Sequence, residues 1–189
     1  GGRIDKVITD KEEFYADQVV IAAGSWSKKM AASAGVSFPL MPGRGYSFTV
    51  QNGGFQLRHP AILMERSVAL TPLNGATMRF GGTMEVTPVG TPPRYQRVQG
   101  IVNAVNEFFP EAHLEVPDAD QIWFGYRPCS ADGLPYIGRT KKTKNLLIAT
   151  GHSMLGLSLG AGTGRLIAEI ANDQTPSIDM TPFTVERFG

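Results

Sequence analysis

Two stretches of the sequence carry residues whose types and spacing could do chemistry. The first is 151–173, GHSMLGLSLGAGTGRLIAEIAND, with glycines at 151, 156, 160, 162 and 164 leading into an apolar, helix-like run. A helix N-terminus exposes unpaired N–H groups and carries roughly half a positive charge. Glycines at its entry remove Cβ atoms, so a flat or anionic ligand can approach those amides. On this reading residues 150–158 present the N–H groups and Gly156 is the point of closest approach. Gly160, Gly162 and Gly164 then lie inside the helix, where each costs about 1 kcal/mol relative to Ala. Tight packing of the helix on a strand or another helix accounts for that cost. The competing reading is close packing alone, with no ligand. The pattern is neither a G-x-G-x-x-G after the first strand of a dinucleotide fold nor a phosphate loop, because no Gly-Lys-Ser/Thr occurs.

The second stretch is 125–139, GYRPCSADGLPYIGR. Arg127 at the end of a strand, fixed by Pro128, suits a carboxylate, since a guanidinium offers two parallel charge-assisted hydrogen bonds. The competing reading is a structural ion pair between Arg127 and Asp132. His152 reads as a positioning residue rather than an acid–base group. Met84 and Glu85, after Gly81-Gly82, approach a substrate pocket on one reading; on the other, Glu85 is a solvated strand charge. Trp123 reads as core, and Tyr126 as core or pocket wall. No catalytic residue and no metal ligand is assigned.

Elements must hold these residues in place. Residues 3–9 (RIDKVIT) alternate polar and apolar like a half-buried strand, and 14–17 begin a second arm. Residues 19–23 (VVIAA) form a continuous apolar run that suits a strand covered on both faces. Gly24 ends it, and 25–34 read as a short helix with Ser25 or Ser27 as N-cap. Strands at 46–50, 61–64, 68–70 and 77–86 are separated by turn residues, including Asn52-Gly53-Gly54 and Asn74-Gly75. Asn-Gly is a strong hairpin signal, so this part is an antiparallel meander. Val98, Ile101, Val102, Val105, Phe108 and Phe109 fall at helical spacing over 95–109, closed by Pro110. Strands follow at 121–126 and 145–149, then a helix over 157–172.

The totals set bounds. Of 189 residues, 42% are apolar and 19% charged, which describes a folded chain with a real core. Eighteen Lys and Arg against 17 Asp and Glu, scattered along the chain, leave no basic patch for nucleic acid. Cys129 is the single cysteine, so no internal disulfide forms and a reducing compartment fits. No run reaches the roughly 18 apolar residues of a membrane span, and no signal peptide is visible at the start.

In this order, ADQVVIAAGSWS, RPCSADGLPYIGR and NLLIATGHSMLGLSLGAGTGRLIAEI resemble the C-terminal part of the D-amino-acid oxidase-like superfamily of FAD-dependent oxidoreductases. The bacterial D-amino-acid dehydrogenase branch is the most similar, with glycine and sarcosine oxidases nearby, and the resemblance covers essentially the whole chain. It implies an α+β architecture. An antiparallel substrate-binding sheet with a helix occupies 39–126, flanked by strand–helix pieces of an incomplete FAD-binding domain at 1–38 and 127–189. The N-terminal unit bearing G-x-G-x-x-G in that superfamily has no counterpart here, so the resemblance implies a missing N-terminal FAD-binding half and an inactive fragment.

The resemblance also implies roles. Arg127 holds the substrate carboxylate, with Tyr126 and Tyr46 as further substrate-binding residues, Tyr46 beside Gly45 at a domain border. Gly151, His152, Met154, Leu155, Gly156 and Leu157 line the pyrimidine edge of the flavin, and Ala23, Gly24 and Trp26 pass near the cofactor. Cys129 is packing, since the cysteine that links flavin covalently in some members lies at a different spacing. The implied reaction is hydride transfer from the α-carbon of an amino acid or related amine to flavin N5, giving an imino acid. The implied location is cytoplasmic, with peripheral membrane association as known in the dehydrogenase branch. The alternative is a stand-alone, non-catalytic binding module with the same fold.

Overall fold

The computed structural model describes residues 2–51 and 55–188. The anticipated Asn52-Gly53-Gly54 turn lies outside the described residues. The alternation at the start produces only a two-residue ribbon, β1 (Val7–Ile8) against β2 (Glu13–Phe14). Thr9 closes the turn, its Oγ1 accepting from the amides of Lys11 and Glu12 at 3.2 and 3.1 Å. Ile8 and Phe14 are exposed, so no core face holds a longer strand in register. That is why the strand expected over 3–9 is so short.

The VVIAA run becomes β3 (Val19–Ile21). A 3₁₀ turn at Gly24–Trp26 follows, then α1 (Ser27–Ser33). Neither Ser25 nor Ser27 caps that helix; both hydroxyls are buried without a hydrogen-bond partner. The meander is β4 (Leu40–Gln51), β5 (Ala61–Leu63), β6 (Val68–Pro72) and β7 (Thr77–Val86). Next come α2 (Gln96–Phe108), β8 (Trp123–Ser130), β9 (Tyr136–Arg139), β10 (Leu146–Thr150) and α3 (Gly156–Ala171). The strand β9 is absent from the sequence reading. Two larger sheets result, with strand orders β3-β10-β9 and β5-β6-β7-β4-β8. The fold is α+β.

By compactness the chain forms two units, Gly1–Pro42 with Arg127–Gly189, and Gly43–Tyr126. In the Gly43–Tyr126 unit, α2 lies on β6 and β7. Val98, Ile101, Val102 and Val105 are buried, as their spacing predicts, in one cluster with Phe48, Leu70, Met78 and Phe80. Trp123 is not core: it is 59% exposed, with the Arg79 guanidinium 5.5 Å from its ring centre. A Cβ on Gly125 would overlap that ring, so the glycine makes room for it.

Glu85 is not a solvated charge either. It is 5% exposed and sits opposite Arg44 in the β4–β7 register. Arg44, fully buried, donates to Glu85 Oε2 from Nη2 at 2.8 Å and from Nε at 3.2 Å. Tyr46 donates to the same oxygen at 3.0 Å, and Arg94 Nε lies 3.2 Å from Oε1. Burial alone would raise the Glu85 carboxyl, but hydrogen bonds from Arg44 and Tyr46 and the arginine charges hold it below its ordinary value.

In the other unit, β3 runs parallel to β10, pairing Leu146 with Val19 and Ile148 with Ile21, while β9 runs antiparallel on the far side of β10. Ile21, Ala31, Phe38, Tyr136, Leu146 and Ile148 form its core. α3 packs on β9 and β10. Its C-terminal end is anchored, Arg139 donating to Ile170 O at 2.8 Å and Gln18 to Ala171 O at 2.6 Å. The Arg139 cation suits the carbonyl end of a helix, and the neutral Gln18 amide satisfies a further carbonyl there.

Candidate functional site

The mouth of α3 is built by its lead-in. β10 ends at Thr150 and Gly151 follows at φ +88°, a left-handed conformation that favours glycine. A Cβ there would sit 3.0 Å from Tyr136 Cδ2 and 3.4 Å from the Tyr136 nitrogen, so space also demands glycine. His152 and a 3₁₀ turn, Ser153–Leu155, then deliver the chain to Gly156. No side chain caps either the turn or α3. Met154, Leu155 and Leu157 are exposed, Leu157 at 98%, so the mouth is open within this unit. The His152 ring is spoken for: Nε2 lies 2.8 Å from Thr163 Oγ1, which pins the lead-in to the helix, and burial pulls its pKa down. That is a positioning geometry.

Two expectations about the glycines change. A Cβ on Gly156 would lie at an ordinary 3.5 Å from His152 Cβ, and Cβ atoms on Gly160, Gly162 and Gly164 would meet nothing within 4 Å. Tight packing therefore does not explain these glycines within the unit. Only Thr163 and Leu166 of α3 are buried.

The Gly24 turn joins this place. Thr150 Oγ1 donates to Gly24 O at 3.0 Å, linking the C-terminal ends of the parallel strands β3 and β10. Ala23, Gly24 and Gly151 therefore flank the carboxyl ends of neighbouring parallel strands, where open α/β sheets bind ligands. Trp26 is half-exposed beside them. Cys129 bridges to His152 across the backbone, its Sγ 3.6 Å from Ser153 Oγ. The hydroxyls of Ser25, Ser27 and Ser130 are buried without a partner.

Arg127 lies within β8, not at its end. The proposed pairing with Asp132 does not occur, because Asp132 belongs to Arg187. Arg187 Nη2 and Nε donate to Asp132 Oδ1 and Oδ2, both at 2.8 Å. Those bonds hold the Asp132 carboxyl down at about 2. Among the described residues no acidic side chain pairs with the half-buried Arg127 guanidinium.

The two tyrosines differ. Tyr46 is 1% exposed, and its hydroxyl donates to Glu85 and accepts the Arg94 amide at 2.8 Å. It is a core residue holding the Arg44–Glu85 pair, with no atom left for a substrate. Tyr126 is half-buried, its hydroxyl accepting the Gly90 amide at 3.3 Å and its ring edge-on to Phe124. Successive strand residues point to opposite faces, so Tyr126 and Arg127 leave β8 on different sides. The Arg44–Glu85 pair and the Asp132–Arg187 clamp escaped sequence reading, and a cross-strand charge pair at buried parity was the signal for the first.

These features fit a flavin. The uncapped amides suit an electron-rich ring edge, and the open mouth admits a flat ring. Among the described residues no group of three or more potential metal ligands exists, and no helix is long and apolar enough to cross a membrane.

The chain belongs to the family of FAD-dependent oxidoreductases called DAO, whose pattern matches residues 1–170. It is 31% identical over 189 residues to a D-amino-acid oxidase of Bradyrhizobium diazoefficiens, covering 100% of this chain and 45% of the relative. It is 34% identical over 190 residues to a D-amino acid dehydrogenase of the same organism, covering 100% of this chain and 44% of that relative. Among solved structures, glycine oxidase from Geobacillus kaustophilus superposes with a TM-score of 0.78 at 25% identity, covering 95% of this chain and 48% of that one. L-proline dehydrogenase from P. horikoshii shares the fold, with a TM-score of 0.81 at 22% identity over 98% of this chain and 50% of that one. The chain thus spans under half the length of the curated relatives it matches.

Proposed function

We propose that this chain is the C-terminal portion of an FAD-dependent oxidoreductase that acts on an amino acid or related amine. In this reading Arg127 grips the substrate carboxylate. The observation that carries it is the half-buried Arg127, which has no acidic partner among the described residues once Arg187 takes Asp132. The amides of residues 153–157 face the pyrimidine edge of the ring and favour the negative charge that develops there. Ala23, Gly24 and Trp26 line the approach from β3. When bound, FAD supplies a hydride acceptor for the substrate α-carbon, and the product is an imino acid. Arg127 orients that carbon, so positioning is the protein's main contribution and no side chain is assigned as base. The similarity to a D-amino-acid oxidase and a D-amino acid dehydrogenase directs the substrate choice to D-amino acids. A reducing compartment such as the cytoplasm suits the lone thiol of Cys129. By itself the chain is inactive, because the relatives carry more than half their length outside the matched part.

The test joins the chain to the unmatched part of the Bradyrhizobium diazoefficiens D-amino acid dehydrogenase, loads FAD, and adds D-alanine without oxygen. Loss of the flavin's visible absorption is the expected result. Stable flavin binding with no reduction by any of several D-amino acids, glycine or N-methylated amino acids would leave a binding module instead.

A further inference from the structure

In the Gly43–Tyr126 unit the five-stranded sheet has one covered face and one bare face. Phe48, Leu70 and Phe80 point into the core that α2 covers. Successive strand residues alternate between faces, so Ser47, Thr49, Ala69 and Arg79 belong to the other side. The register sets them together, with Ser47 opposite Gly81, Thr49 opposite Arg79 and Ile62 opposite Ala69. Ile62 and Trp123 are 65% and 59% exposed, and Thr49, Ala69 and Arg79 are exposed as well.

Arg79 is fixed on this bare face from two other strands. Its Nη2 donates to Ser47 Oγ at 2.9 Å, and Ser47 is only 6% exposed. Its guanidinium lies 5.5 Å from the centre of the Trp123 ring. That indole folds back over residue 125, which has to be glycine, since a Cβ there would overlap Trp123 Cη2. Fixing a long side chain costs it rotamer freedom. Yet among the described residues no acidic side chain pairs with Arg79. Nε and Nη1 are thus left for a ligand. A guanidinium held against an aromatic ring keeps its N–H groups for a carboxylate, which it takes through two parallel bonds. The neighbouring Trp123, Ala69 and Ile62 offer apolar surface to a short hydrocarbon stem.

We propose that Arg79, braced by Ser47 and Trp123, binds the carboxylate of a small organic acid whose stem is apolar. That carboxylate has two sources. One is the side chain of a dicarboxylic amino acid taken as substrate, which rests on the function proposed above. The other is a separate small acid, which does not.

The experiment uses the 189-residue chain with Trp26→Phe, which leaves Trp123 as its one tryptophan. Butyrate is titrated at low salt against Trp123 fluorescence, without FAD, and butyramide is the neutral control. A saturable change with Kd on the order of 1–10 mM is expected for butyrate alone, weakening as salt is raised. Arg79→Gln should weaken binding at least tenfold. Arg79→Lys should weaken it at least threefold, because an ammonium lacks the planar fork. Ser47→Ala, which only loosens the guanidinium, should also weaken it, so the outcome does not hang on one variant. Arg66→Gln removes an equal charge from a guanidinium already paired with Glu107, and should leave binding within twofold. Urea unfolding of each variant reads the fold separately. No saturable change, equal binding of butyramide, or binding indifferent to all three changes at Arg79 and Ser47 would each overturn the proposal and leave Arg79 a structural brace. In the FAD-loaded assembly, a kcat/KM preference for D-glutamate over D-glutamine that falls at least tenfold with Arg79→Gln assigns the carboxylate to the substrate. Butyrate binding without that preference assigns it to a separate acid. Butyrate binding without flavin reduction by any amino acid sinks only the flavoenzyme reading. Flavin reduction without butyrate binding sinks only the Arg79 site.

Discussion

Glu85→Gln removes the charge at the centre of the buried cluster in the Gly43–Tyr126 unit. The carboxylate takes two hydrogen bonds from a fully buried Arg44, at 2.8 and 3.2 Å, and one from Tyr46 at 3.0 Å. Breaking a buried ion pair from one side costs about 3–5 kcal/mol, because the surviving charge stays buried and uncompensated. Glutamine keeps one acceptor oxygen, so the lower end, about 3 kcal/mol, applies. The readout is urea unfolding followed by Trp123 fluorescence in a Trp26→Phe background, since one tryptophan lies in each unit. Replacing both Arg44 and Glu85 with Met should recover at least half of the loss, because apolar residues of similar volume dispense with the buried charge. The pH dependence has a definite sign. The folded carboxyl lies below its ordinary value of 4.5, so its stabilisation is present above that value and disappears as the pH falls through the folded value. A loss under about 1 kcal/mol for Glu85→Gln would show that the cluster is not the structural centre described here.

Asp132→Asn should weaken the clamp on the Asp-Gly turn. A carboxyl held at about 2 against an ordinary 3.8 would contribute about 2.4 kcal/mol unscreened, and partial exposure reduces this to about 1 kcal/mol. That difference from the native chain, measured by urea unfolding, is full above pH 3.8 and fades as pH falls toward 2. Gly151→Ala meets both a φ of +88° and a 3.0 Å approach to Tyr136, so it should cost about 2 kcal/mol of stability, and a neutral result would contradict the strained lead-in to α3.

Legibility in the sequence followed the range of the interaction. β7 lies where alternation and Asn74-Gly75 put it, and α2 buries the valines its spacing selects. Those are local signals. β8 runs on to Ser130 through Pro128 because it is the edge strand of its sheet, where a missing N–H costs no ladder bond. Proline alone reads as a stop. Glu85 reads as either a pocket residue or a solvated charge because its partner Arg44 lies 41 residues upstream, and Asp132 finds Arg187 across 55 residues. For α3 the extent was legible and the surroundings were not. An apolar, glycine-rich helix reads as tightly packed, yet Cβ atoms on Gly160, Gly162 and Gly164 would meet nothing within 4 Å.

Recognition of a carboxylate by Arg127 is the claim on which the functional account turns. The direct measurement compares kcat/KM for a D-amino acid and for its carboxamide, in the FAD-loaded assembly and in the same assembly with Arg127→Leu. The unaltered site should prefer the acid by about 100-fold or more, since a lost bidentate charge pair is worth about 3 kcal/mol. With Arg127→Leu that preference should vanish, chiefly through a raised KM for the acid. An acid preference that survives the substitution would place the carboxylate elsewhere and contradict the account.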